Sequence, residues 1–286
     1  MRDNYHKRIE RVHAAIHADP AAEHSLDDLA DIAALSRFHF HRVFTAMTGE
    51  TVAEAVRRIR LKRAAMMLRR GMRPVAEIGR DHGYPNAGSF SRVFRAAYGL
   101  TPSQFRNAGA DVALPAYLSY KLGDIDMYPV TIGQEPVRTI IGVEHKGPYT
   151  QMGRSFAQLS EGLARSGLWP RVGAMMAVYR ADPAVVTPAD LRGFAGVWIE
   201  GDVTLPEGFS CLTLSAGRFA KMRMTGPYIG LPAAYDWLFG TWLAQSGEVP
   251  RDDPHYEIYV NSPMDSAPED LKTDIYLPLC AKVERT

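Results

Sequence analysis

Cysteine is scarce: Cys211 and Cys280 are the only two in 286 residues. Neither stands at a metal-site spacing, so they read as free thiols of a reducing, cytoplasmic compartment rather than as a disulfide. Long apolar runs are missing too. No stretch of eighteen apolar residues occurs, which excludes a membrane-spanning helix, and Met1–Pro20 is too polar for a signal peptide. The chain has no phosphate-cradling glycine loop and no Ser-His-Asp spacing. His13 and His17 share a helix face but have no carboxylate or cysteine ligand beside them. His39 and His41, two apart on a helix, point in different directions. No cofactor or metal is expected.

Charge is abundant but unevenly placed. Residues 1–110 hold 18 Lys and Arg against 11 Asp and Glu, a net of +7; the remainder holds 15 against 21, a net of −6. Half of the chain is basic enough to meet phosphate and half is not, which points to two domains with separate tasks.

The basic half is built on a repeat. Phe40, Arg42, Val43, Phe44, Gly49 and Thr51 recur as Phe90, Arg92, Val93, Phe94, Gly99 and Thr101, each fifty positions on. Upstream, Ser25–Leu29 answers Pro74–Ile78 one position out of step, where the turn between two helices should fall. Caps mark the helix starts: Ser25, Ser36, Thr51 with Glu54 as a capping box, Asn86, and Thr101 before Pro102. Phe40, Val43, Phe44 and Met47 in one copy, and Phe90, Val93, Phe94 and Ala97 in the other, recur at helical spacing. Between the copies, Val52, Val56, Ile59 and Leu68 mark a long basic helix that ends near Arg70. A first helix over residues 5–17 presents Tyr5, Ile9, Val12 and Ile16 on one side.

Two helix-turn-helix units in tandem, with the segment GYPNAGSFSRVFRAAYGLTPSQFR from Gly83 to Arg106, resemble the DNA-binding domain of AraC-type transcriptional regulators. The resemblance covers roughly residues 5–107. It implies that two recognition helices enter successive major grooves of duplex DNA, and that RNA polymerase is a partner. The implied reading positions are Phe38, His41 and Arg42 in the first unit and Asn86, Ser91 and Arg92 in the second; Arg37 on the outer face and Arg95, as a contact to the DNA backbone, complete the expected DNA-binding residues. For each arginine a base contact and a phosphate contact both stand open.

Residues 111–127 read as a linker, and the pattern beyond them is strand-like over 137–144, 174–179, 211–214, 219–224 and 256–260. This half also repeats. Gly147-Pro148-Tyr149 is answered by Gly226-Pro227-Tyr228, 79 positions on, while Gly167 and Gly247 are 80 apart. Each turn precedes a helix, one lined by Phe156, Leu159 and Leu163, the other by Tyr235, Leu238 and Trp242. Two strand-helix-strand-strand units predict an α+β domain: an antiparallel sheet with pseudo-twofold symmetry and both helices on one face. The order GPY, helix, YEIYVNSP and LKTDIYLPL resembles GyrI-like small-molecule-binding domains over about 128–286. In His255–Asn261 the alternation puts Tyr256, Ile258 and Val260 on one face, expected against the helices, and Glu257 and Tyr259 on the other. The resemblance makes Glu257 the pocket acid, with Tyr149, Tyr228, Trp198, Tyr259 and Tyr276 as aromatic walls for a small hydrophobic or cationic effector.

The expectation is a multidomain chain, all-α over 1–110 and α+β over 128–286, acting as an effector-responsive, DNA-binding transcriptional regulator. A GyrI-like hydrolase fused to a DNA-binding domain is the alternative. A DNA binder whose second domain contacts only partner proteins is the third.

Overall fold

The computed structural model describes residues 5–71, 73–108, 127–183, 185–201 and 203–281. The chain divides into two compact units, Met1–Leu122 and Gly123–Thr286. The linker expected over 111–127 lies, Met127 apart, outside the described residues. Among the described residues no helix is long and apolar enough to cross a membrane, and Cys211 and Cys280 are both exposed thiols.

The first unit is helical: α1 (Tyr5–Ala18), α2 (Leu26–Ala33), α3 (Arg37–Thr48), α4 (Val52–Arg70), α5 (Val75–Asp81), α6 (Ala87–Tyr98) and α7 (Pro102–Ala108). The starts follow the caps. The Thr51 hydroxyl accepts from Glu54 N while Glu54 Oε2 accepts from Thr51 N at 2.8 Å, and Thr101 and Gln104 repeat the exchange. Asn86 Oδ1 accepts from Ser89 N at 2.8 Å. Gly49 and Gly99 close α3 and α6 in the left-handed region, each returning its N–H to the carbonyl four residues back. The two turns match as well. Leu35 N bonds Ala30 O and Tyr84 N bonds Gly79 O, both at 3.0 Å, after left-handed Ala34 and Gly83. The out-of-step residue is therefore Pro85, inserted just after the shared turn.

Helix α4 is buried more widely than its apolar spacing indicates. Val52, Ala55 and Ile59 are buried near its start; Leu61, Ala64, Ala65 and Leu68 join Ile78, Phe90, Phe94 and Phe105 in the core of the second helix-turn-helix. Alanines supply the second stripe, which lets two helical layers approach one rod closely. Ala97, expected on the inner face of α6, is exposed.

The second unit contains β1 (Val130–Glu135), β2 (Arg138–Lys146), α8 (Met152–Arg165), β3 (Val172–Tyr179), β4 (Arg192–Ile199), β5 (Ser210–Leu214), β6 (Gly217–Thr225), α9 (Leu231–Trp237), a π-helical stretch Leu238–Trp242 continuing into α10 (Leu243–Ser246), β7 (His255–Tyr259) and β8 (Lys272–Pro278). All ladders are antiparallel, in the order β1-β6-β8-β7-β3-β4-β2-β5. The ends of that order meet. Only Pro136 and Val137 separate β1 from β2, and only Ser215 and Ala216 separate β5 from β6, spans of a few ångströms per residue. The register also runs through the breaks: Glu135 faces Gly217 and, three residues on in one strand and three back in the other, Arg138 faces Leu214. So β1–β2 and β5–β6 are two long bent strands paired along their length, and the sheet closes into a barrel.

Closure explains a core to which no described helix contributes a residue. Ile140, Met176, Val178, Phe194, Leu214, Phe219, Tyr256 and Tyr276 are buried together; they point into the barrel. Ile141, Val143, Ala195 and Val197 point outward and are covered by Leu159 and Leu163 of α8. The expectation that Tyr256, Ile258 and Val260 meet the helices is therefore reversed. Tyr256 and Ile258 belong to the interior cluster, and Val260 is half exposed.

The repeat is visible in the backbone. Gly167 and Gly247 have φ of 66° and 67° and end the two helices. The π-helical stretch Leu238–Trp242 absorbs the extra residue that turns the offset of 79 into 80. The symmetry axis passes through β3 and β7, where Ala177 faces its own repeat mate, Glu257.

Candidate functional site

Two sites emerge, one in each unit. In the first, α3 and α6 present their outer faces. Arg37 is exposed and pairs loosely with Asp27 at 3.4 Å. The Arg42 guanidinium lies over the half-buried Phe38 ring, 5.1 Å from its centroid. Arg92 and Arg95 are exposed and make no hydrogen bond or ion pair among the described residues, with Ser91 half-buried beside them. Asn86 is exposed, but its Oδ1 is committed to the cap. A Cβ at Gly88 would meet only Asn86 Oδ1, at 3.4 Å, so the start of α6 is open to close approach.

His41 is a correction. It is only 5% exposed, because His41, Phe44 and Thr48 form an i, i+3, i+7 stripe on the inner side of α3. Several basic residues counted toward the charge of this half are also turned inward. Arg58 makes a bidentate pair with Glu50, Arg63 donates to His17 O, and Arg106 donates to Arg73 O at 2.6 Å. Arg42→Ala should cost about 1–3 kcal/mol on a preferred sequence if Arg42 reads a base. A loss of equal size on scrambled DNA, in binding titrations run side by side, would assign it to phosphate instead.

In the second unit Glu257 is 1% exposed, on the outer side of the barrel wall. Tyr179 and Tyr259, repeat mates from β3 and β7, both donate to its Oε2, at 3.1 and 2.7 Å. Tyr235 of α9 donates to Oε1 at 2.9 Å. Burial first, and then the Glu257 charge, raises the pKa of Tyr179 and Tyr259 well above that of a free phenol. Their hydroxyls therefore stay protonated, as donors, at neutral pH. Directly opposite on β3 the repeat mate of Glu257 is the small side chain of Ala177, so no second carboxylate faces the first.

More rings surround the carboxylate. Tyr228 meets Tyr259 edge-on at 5.3 Å, Phe156 meets Tyr259 at 5.4 Å, and Tyr149 meets Tyr179 at 4.8 Å. The His255 ring stacks on Tyr179 and meets Tyr235 edge-on. The two GPY tyrosines differ. The Tyr149 hydroxyl donates to Arg192 O at 2.7 Å and accepts from Ala181 N at 3.1 Å. Its turn is held by His145, whose Nε2 lies 3.1 Å from Gly147 O and Pro148 O and whose Nδ1 lies 2.9 Å from Ser155 Oγ. Facing two carbonyls, which only accept, Nε2 is the donor to both. The Tyr228 hydroxyl makes no hydrogen bond among the described residues, and Met224 and Ala234 occupy the repeat positions of His145 and Ser155.

Of the aromatic walls expected from sequence, Tyr149, Tyr228 and Tyr259 gather around Glu257. Trp198 and Tyr276 do not: both belong to the barrel interior, across the wall. Tyr179, Tyr235, Phe156 and His255 complete the cluster, and the repeat is the signal that points to them: Tyr179 is the repeat mate of Tyr259, and Phe156 that of Tyr235.

A family model described as the GyrI-like small molecule binding domain matches residues 128–279, and one described as a helix-turn-helix domain matches residues 29–108. Regulatory protein SoxS of Salmonella typhimurium is 37% identical over 83 residues, 29% of this chain and 78% of that protein. An uncharacterized HTH-type transcriptional regulator of Haemophilus influenzae is 31% identical over 102 residues, 36% of this chain and 34% of its own length. The chain thus spans about a third of one relative and over three-quarters of the other. Among solved structures, EcmrR in complex with DNA aligns with TM-score 0.44 at 14% identity, covering 54% of this chain and 58% of that one. SAV2435 bound to tetraphenylphosphonium aligns at 0.42 and 10% identity, covering 53% and 94%. The chain belongs to the GyrI-like family and carries an AraC-type helix-turn-helix domain ahead of its GyrI-like small-molecule-binding domain.

Proposed function

We propose that this chain is a cytoplasmic transcriptional regulator. Residues 1–110 read duplex DNA through the major groove with α3 and α6, residues 111–127 link, and residues 128–286 bind a small cationic, apolar effector at Glu257. The observation that carries this reading is the duplication of a capped helix-turn-helix within one chain. It puts two reading heads on a monomer, where most helix-turn-helix proteins need a dimer. Arg37, Phe38, Arg42, Asn86, Ser91, Arg92 and Arg95 form the DNA face. Tyr149, Tyr179, Tyr228, Tyr235 and Tyr259 wall the effector site, and RNA polymerase is the partner through which binding changes transcription. The effector domain binds its ligand and does not consume it: the three phenols around Glu257 fix a charge, which suits recognition of a cation.

Site selection from random DNA with the full-length protein tests this. A monomer should protect about two helical turns, and affinity should fall steeply with salt as counterions return to phosphate. Protection of only half a turn, or binding that requires a dimer, would overturn the two-headed reading. Recovery of the effector unaltered after prolonged incubation separates binding from hydrolysis.

A further inference from the structure

Arg60 stands midway along α4. Its Nε donates to Pro20 O at 2.6 Å and its Nη2 to Ala22 O at 2.9 Å. Those carbonyls lie in the segment that leads into α2, the entry to the first helix-turn-helix. The same guanidinium lies against Gly83, in the turn of the second. A Cβ built on Gly83 would stand 2.8 Å from Arg60 Cζ and 3.1 Å from Nε and Nη1. Gly83 has a φ of 80°, so glycine serves here both the left-handed turn and the bare backbone against which the guanidinium packs. Tyr84, next in the chain, registers the same proximity: burial raises its pKa, and the Arg60 charge, then Arg57, pulls it back.

Other arginines of α4 reach one side or the other. Arg58 and Arg63 reach Glu50 and His17, both on the side of the first helix-turn-helix, and Arg69 lies over Phe105 on the side of the second. Arg60 touches both. A planar fork can bond two carbonyls and lie flat on a peptide at once; an ammonium cannot.

The geometry points to Arg60 as a positioning residue that fixes the angle between the two helix-turn-helix units, and so the half-site spacing the protein accepts. This rests on the reading of α3 and α6 as recognition helices. Successive major grooves on one face of a duplex lie about 34 Å apart, and each inserted base pair turns the second site by about 34–36°. Two heads on a rigid rod tolerate little of that rotation, whereas heads able to swivel about α4 tolerate more.

Full-length Arg60→Met and Arg60→Lys are compared with wild type on the selected duplex, on duplexes with one or two base pairs inserted between half-sites, and on a single half-site. In both variants the preference for the correct spacing should shrink about five- to tenfold, the scale of losing charge-assisted hydrogen bonds. Half-site binding should be unchanged. A second readout needs no DNA. Spin labels on the repeat-equivalent positions Ala46→Cys and Ala96→Cys, with Cys211→Ser and Cys280→Ser, should give a narrow distance distribution in wild type and a broader one in both variants. An unaltered distribution and spacing preference overturns the assignment. So does a uniform loss on all duplexes in Arg60→Met alone with a smaller salt slope, which marks a phosphate contact. If wild type binds no duplex, the DNA reading fails, and the label distances still decide whether Arg60 holds the two units.

Discussion

Glu257→Gln should weaken binding of a flat, apolar organic cation about a hundredfold, and leave an uncharged analogue of similar shape almost unaffected. Two unit charges about 5 Å apart, at the effective dielectric of a partly wetted protein site, attract by about 3 kcal/mol, or roughly a hundredfold in affinity. That attraction is what the substitution removes. The packing changes little, because glutamine has the shape of glutamate and each phenol can donate or accept as needed. Tyr179, Tyr235 and Tyr259 now hold the carboxylate from three directions, so its charge is fixed in place before any ligand arrives. DNA binding by the other unit should not change. Calorimetry with both ligands distinguishes the possible outcomes. Equal loss for the charged and uncharged compounds would mean that the packing around Glu257 had changed, and no loss for either would remove Glu257 from the proposed site.

The surroundings of Glu257 were half legible in the sequence, for a physical reason. Strand alternation states which residues share a face, so Glu257 and Tyr259 were placed together correctly. It does not state what covers that face. A half-buried strand normally turns its apolar side to the helices, which assigned Tyr256 and Ile258 there. In a closed barrel the most apolar side is the interior, and the helices rest on the mixed, aromatic exterior. Closure depends on pairing Val130 with Met222 and Arg138 with Leu214, contacts between residues far apart in sequence that no local pattern records. Trp198 and Tyr276 were drawn to the wrong side of the wall by the same omission.

The helical unit was more legible because its determinants are local. A cap acts within four residues of itself, so Ser25, Ser36, Thr51, Asn86 and Thr101 fixed the helix starts. His41 escaped because the covered arc of α3 is wide: His39, His41 and Thr48 are buried together with Phe40, Val43, Phe44 and Met47, so polar positions flanking the apolar stripe are covered too. The inward role of Arg58, Arg60 and Arg63 was equally hidden, since the partners of the last two are backbone carbonyls, which carry no sequence signature.

Asp274→Asn should destabilise the second unit by about 3 kcal/mol at pH 7, the lower end of the range for breaking a buried ion pair from one side. Asp274 points into the barrel from β8, and its side chain is 4% exposed. Arg223 grips both carboxylate oxygens at 2.6 and 2.7 Å, and Lys221 reaches Oδ2 at 2.8 Å. Burial opposes ionisation here, but the hydrogen bonds from Arg223 and Lys221 outweigh it and hold the carboxyl below its usual range. The lower end applies because Arg223 and Lys221 keep about two-fifths of their own surface in water and can be resolvated when the partner is lost. A carboxyl whose folded pKa is depressed contributes its full stability above the unfolded value, near 4, and loses it as pH falls through the folded value. Urea midpoints of wild type and Asp274→Asn should therefore lie far apart at pH 7 and 5, and converge below pH 4 as the wild-type carboxyl takes up its proton. Midpoints that coincide at pH 7 would show that the triad adds nothing to the barrel. The stakes reach the proposed effector site, because Asp274 pairs with Ile258 and the next residue, Ile275, pairs with Glu257. A barrel loosened at β8 shifts the strand that carries the carboxylate, so near its unfolding midpoint the variant should also lose ligand affinity, and recover it when stabilised by lower temperature.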